Sequence, residues 1–190
     1  MAHAPLLLPL ALFVLLALAV WHDLRARRIP NAVVFPGTLL ALALHAFLPA
    51  GAGLPATAME GVGFLSALGG FALGLGFLLP MYALRLMGAG DVKLLAMVGA
   101  FVGAGDILAV AIATLLAGGV LALVAAAWQR SLRRLLNNTY QTMLHAGLNG
   151  LADGIAAPAV ASGRLPYAVA IATGTGACVL WLRAFGELPL

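Results

Sequence analysis

Segment 5–21 carries no charged side chain, and neither do 32–59, 61–84, 94–105, 107–129 or 165–182. Inside a bilayer no water is available to hydrogen-bond the backbone, so such stretches must pair their own N–H and C=O groups, as helices do. About 20 apolar residues span the hydrocarbon. Of the 190 residues, 64% are hydrophobic and 8% are charged, against about 25% charged in an average soluble domain. Such a chain cannot cover itself with a solvated surface. The expected fold class is all-α, a polytopic membrane protein: one transmembrane domain over residues 1–190 with about six transmembrane helices.

The helices are expected at about 5–21, 32–48, 60–84, 91–102, 107–128 and 166–182. The first has the length of a secretory signal, but Arg25, Arg27 and Arg28 follow its apolar run instead of preceding it. That order reads as a retained helix. Residues 23–31 form a polar turn that stops it, and Pro30 suits the first turn of the second helix, where a missing N–H costs nothing. Residues 49–55 make an outside loop. In the third helix Gly70 and Gly74 have the small-xxx-small spacing that lets helices approach closely, and Pro80 is expected to kink its end. The fourth helix is too short to span by itself, which fits a site recessed into the membrane and reached by water. Residues 103–106 turn the chain outside. Segment 129–164 is cytosolic and partly amphipathic, with Leu132, Leu135, Leu136, Tyr140, Met143 and Leu144 at helical spacing beside Arg133 and Arg134. It reads either as an interfacial helix or as a connector covering the bundle.

Basic residues favour the cytosolic side of membrane helices. Six helices with the N-terminus outside put Arg25, Arg27, Arg28, Arg85, Lys93, Arg130, Arg133, Arg134 and Arg164 in the cytosol, leaving only Arg183 of the ten basic residues outside. The net charge of +4 is thus a topology signal rather than a sign of nucleic-acid binding. Cys178 is the single cysteine, which excludes an internal disulfide and a multi-cysteine zinc site. His3, His45 and His145 show no metal-ligand spacing. No metal and no cofactor are expected.

On this topology Asp23 and Asp91 share the cytosolic face, each at the end of an apolar run. Asp91 belongs to the stretch Met87-Gly88-Ala89-Gly90-Asp91-Val92-Lys93, where Gly88 and Gly90 have no Cβ and admit another chain beside the acid. An ionisable side chain at a membrane-helix end is a functional hypothesis by default. Two carboxylates can cleave a peptide bond without metal: one takes a proton from water while the other donates to the carbonyl oxygen. Acids that close share a proton and titrate as a unit.

Gly88-Ala89-Gly90-Asp91-Val92-Lys93 matches a GxGDxK pattern, and Asp23 followed by Ile29-Pro30-Asn31 matches D-x5-[IL]-P-N. With Pro166-Tyr167-Ala168-Val169-Ala170-Ile171-Ala172 as a closing helix, the chain resembles the type IV prepilin peptidases, GxGD aspartic proteases, over nearly its whole length and in the same motif order. The resemblance implies a membrane-embedded aspartic endopeptidase of the bacterial inner membrane that removes prepilin leader peptides at the cytosolic face. It implies Asp23 and Asp91 as the catalytic pair, with Gly88, Gly90, Lys93, Pro30 and Asn31 as supporting motif residues. Prepilin, the lipid bilayer and the pilus assembly machinery are the partners implied. The N-methyltransferase insertion of larger members, with its two CxxC pairs, has no counterpart here. The chain therefore looks like the small, peptidase-only branch that processes Flp-type prepilins.

Plainer roles stand beside these. Asp23 alone would read as a solvated helix end among arginines, and Asp91 as an N-cap. Lys93 either binds lipid phosphate or orients an acid. His22 reads as interfacial, Glu60, Asp106 and Glu187 as outer loop acids, and Asp153 as cytosolic without a role. The competing functions are another GxGD protease, such as a preflagellin-type peptidase, or a small ion- or proton-coupled transporter subunit. A transporter would want mid-membrane charges and often an internal repeat; no such repeat is visible.

Overall fold

The computed structural model describes residues 4–47, 63–84, 86–128 and 166–185. Among them the chain forms five helices: α1 (Ala4–Ala26), α2 (Asn31–Phe47), α3 (Phe64–Ala83), α4 (Ala89–Trp128) and α5 (Tyr167–Phe185). Among the described residues, three segments are long and apolar enough to cross a membrane by length and composition: Leu8–Ala26, Phe64–Ala83 and Ala89–Ala125. Two more, Asn31–Phe47 and Tyr167–Leu182, are apolar but shorter. The loop at 49–55, the segment at 129–164 with its arginines and Asp153, and His3, Glu60, Arg85, Arg164 and Glu187 lie outside the described residues, as does His145.

Although α4 is 40 residues long, it is not one rod. Gly103 has φ 85° and ψ 176°, a conformation essentially restricted to glycine. Gly118, past the middle of α4, lies against Tyr167 at the beginning of α5, and Asp91, near the start of α4, is within electrostatic range of the same residue. Asp106 instead lies near Cys178, towards the other end of α5. The chain therefore reverses at Gly103, giving antiparallel arms at 89–102 and 104–128. The first arm is about 21 Å long at 1.5 Å per residue, well short of a bilayer core of about 30 Å.

Breaking a helix in an apolar interior frees backbone groups that lipid cannot satisfy. Side chains from two neighbours take them up. His45 Nε2–H of α2 donates to the Phe101 carbonyl at 3.1 Å, and the Ala104 N–H donates to Ser66 Oγ of α3 at 3.2 Å. Buried Thr38 and Thr175 satisfy themselves, each donating to the carbonyl one turn back.

The first arm of α4 is the centre of the molecule. Val92 and every residue from 94 to 103 are buried, as expected of a helix that is apolar all round. α1 and α3 each bury one stripe in the bundle: Leu8, Leu12, Leu16 and Ala19 of α1, and Ala67, Gly70, Gly74 and Leu78 of α3. Their outer faces expose Leu10, Phe13, Val14 and Leu65. Lipid is as apolar as these side chains, so close packing rather than hydrophobic transfer must hold the helices together. A Cβ on Gly70 would run into the carbonyl oxygen of Gly99, and one on Gly74 would lie 2.7 Å from that of Leu95. The small-residue spacing noted in the sequence is this contact.

Several boundaries differ from the sequence expectation. α1 continues through Asp23 to Ala26 instead of stopping before the acid, because Leu24, Arg25 and Ala26 are good helix formers. Pro30 lies just before α2 rather than inside its first turn, and its carbonyl accepts the Val33 N–H at 3.0 Å. No separate turn spans 103–106: the reversal is confined to Gly103, and helix resumes at once.

Candidate active site

Because α1 stays helical past Trp21, its buried stripe of Leu8, Leu12, Leu16 and Ala19 continues to Asp23, which is only 7% exposed. The acid therefore faces inward, and not outward with its neighbouring arginines. Its carboxylate Oδ2 accepts the main-chain N–H of Ala168 at 3.0 Å. That N–H belongs to the first turn of α5, where helical N–H groups have no partner within the helix. Arg27, at φ 51°, closes α1 with its N–H donating to the Asp23 carbonyl at 2.8 Å, a left-handed cap of the kind common at helix ends. Arg25 folds back over the exposed Trp21 ring, 4.2 Å from its centroid, an anchor suited to the membrane interface.

Asp91 is the third residue of α4. Its Oδ2 accepts the N–H of Gly88, the residue before the helix, at 3.2 Å. This is the reach-back half of a capping box, so the acid sits one turn inside the helix instead of at the N-cap position. Gly90 brings the start of α4 against the α1–α2 connector, since a Cβ there would stand 3.2 Å from Cβ of Ile29. Asp91 also lies within electrostatic reach of the Tyr167 hydroxyl. The Tyr167 ring covers Gly118, where a Cβ would meet it at 2.7 Å.

The first turn of α5 thus relates to both motifs: the Ala168 N–H binds Asp23, and Tyr167 lies within electrostatic range of Asp91. The N-termini of α4 and α5, whose exposed N–H groups and dipoles favour negative charge, both point to this end of the bundle. Two carboxylates so held, at the margin of an apolar interior, are suited to acid–base work on a bond brought between them.

The other residues singled out in the sequence fall as follows. Lys93 Nζ donates to Asn31 Oδ1 at 3.2 Å. Pro30 and Ile29 form the connector that Gly90 touches. His22 Nδ1–H donates to the Leu18 carbonyl at 2.8 Å and so is engaged with its own helix. Asp106 lies towards the opposite end of the bundle, within electrostatic range of Cys178. Among the described residues, no three His, Cys, Asp or Glu side chains gather as a metal-holding group. The sequence treated 166–172 only as a closing helix and missed Tyr167, the Ala168 N–H and Gly118. Pro166 ahead of a helix was a usable signal, because proline marks a helix start and the free N–H groups that follow it.

Searches of curated proteins and of solved structures return no match. A family model described as the type IV leader peptidase family matches residues 10–123, more than half of the chain and a span that includes both Asp23 and Asp91. The all-helical apolar fold agrees with that match, and the chain belongs to the type IV leader peptidase family.

Proposed function

We propose that this protein is a membrane-embedded aspartic endopeptidase that removes the leader peptide from Flp-type prepilins at the cytosolic membrane face, with Asp23 and Asp91 acting as a pair. Membership of the family implies prepilin substrates. The observation that supports the aspartic mechanism is the relation of both acids to the first turn of α5: Asp23 accepts the Ala168 N–H, and Asp91 lies within electrostatic range of Tyr167. One carboxylate, ionised, takes a proton from water as the water attacks the scissile carbonyl. The other, protonated, donates to the carbonyl oxygen, and a proton then passes to the leaving amine. The pair shares a proton, so the roles belong to the dyad rather than to either residue.

Six passes with the N-terminus outside would put this end of the bundle in the cytosol, next to the boundary between a basic leader and the apolar helix that follows it. The absence of a CxxC pair in the sequence supports peptidase activity without methylation of the product. The test is the N-terminal mass of a small Flp-type prepilin expressed with and without this protein. Loss of the leader only when the protein is present is the expected result. An unchanged prepilin mass across a panel of such substrates overturns the assignment.

A further inference from the structure

The sequence leaves Lys93 two roles, a hold on lipid phosphate or an orienting charge for an acid, and the structure offers a third. Lys93 Nζ donates to Asn31 Oδ1 at 3.2 Å and stands 5.3 Å from the centroid of the Phe35 ring. Asn31 opens α2 and Phe35 lies one turn further on, so both partners belong to the same helix. A ring face within about 6 Å of an ammonium attracts it, and with the amide oxygen it holds the charge on the α2 side of α4. Asp91 looks elsewhere. Residues two apart on a helix point about 200° apart, and the Asp91 carboxylate is engaged with Gly88 and lies within reach of Tyr167 on α5. Lys93 therefore does not share a face with the acid of its own motif.

We propose that Lys93 is a positioning residue that fastens the start of α4 to the start of α2 and so fixes the Asp91 segment against the Asp23 segment. The inference rests on the proposed acid pair. Only the connector 27–30 separates Asn31 from α1, whose last turns carry Asp23. The Ala168 N–H holds Asp23 from one side, and Lys93 holds the far end of the connector from the other. Gly90 against Ile29 is a second point on the same seam. Each helix alone leaves its acid free to shift relative to the other; the Lys93–Asn31 link spans 62 residues of chain and removes that freedom.

The test uses the full-length protein in lipid vesicles with a peptide spanning a prepilin leader junction. Loss of the fastening misplaces reacting groups, so Lys93→Met is expected to lower kcat about 10- to 100-fold while KM changes little. Asn31→Ala should cost a similar factor, and the double variant should be no slower than the worse single, because both remove one interaction. Lys93→Arg, which keeps charge and reach, should recover most of the rate. The ratio of wild-type to Lys93→Met rates should be the same in phosphatidylcholine vesicles and in vesicles that also contain phosphatidylglycerol. If Lys93→Met fails to insert, Asn31→Ala and Lys93→Arg decide the same question. A wild-type kcat in Lys93→Met, losses that multiply in the double variant, or a ratio that vanishes without anionic lipid overturns the proposal. Asp23→Asn and Asp91→Asn in the same assay separate the two failures: inactive acid variants beside a fully active Lys93→Met sink the fastening alone, whereas active acid variants sink the pair itself.

Discussion

Asp23 owes its place to helical arithmetic. Leu8, Leu12, Leu16 and Ala19 are buried at three- and four-residue intervals, and the next position in that series is the acid. Its carboxylate is held by a main-chain donor in α5, which links the proposed chemistry to whatever positions that turn. Gly118 is such a residue, because the Tyr167 ring lies where its Cβ would be. Gly118→Val should push the ring and the Ala168 N–H aside and lower kcat about 10- to 100-fold, with the helical circular-dichroism signal unchanged; a wild-type rate would detach the first turn of α5 from the chemistry. The pair also has a pH signature. Activity needs one carboxylate ionised and one protonated, so it should fall both where pH is low enough to protonate both and where it is high enough to ionise both. A rate that rises with pH to a plateau and never falls would indicate a single ionising group.

At the scale of elements, the reversal at Gly103 creates the short central arm that begins at the Asp91 motif. Gly103→Ala should destabilise the protein by about 1–3 kcal/mol, the usual cost of a side chain in that backbone region. His45→Leu should cost about 1–3 kcal/mol by leaving the buried Phe101 carbonyl unpaired. Both are measurable as shifts in denaturant unfolding of the purified protein, and stability equal to wild type would mean that the reversal needs neither. Much of this element structure was legible in the sequence, because uncharged runs of membrane length report helices and Gly103 interrupts one. The end of α1 was not. Apolarity ends at Trp21, but a helix can continue into the interface on good helix formers, and hydropathy alone does not register that. The partners of His45, Ser66 and Lys93 were also hidden. Each contact joins residues far apart in the chain, and local pattern says nothing about which remote atom fills a freed hydrogen bond.

For the whole molecule, the acids and Asp106 lie at opposite ends of the bundle, so the topology proposal has a direct readout. In a Cys178→Ala background, a cysteine at Gly105 should react with a membrane-impermeant maleimide added outside intact cells. One at Arg28 should react only after the membrane is opened. The reverse pattern would put the acids outside and end the assignment to cytosolic leader removal. The sequence motifs singled out both acids, but the hold of the first turn of α5 on Asp23 required the fold.

The most direct test of the acid pair is the initial rate of prepilin cleavage by Asp23→Asn, Asp91→Asn and the double variant, compared with wild type. Two groups that act as a unit fail together, so each single variant should lose about 10²–10⁴-fold or more in rate, and the double should be no worse than either. A single variant that cleaves at the wild-type rate, or losses that multiply in the double, would contradict a shared catalytic pair.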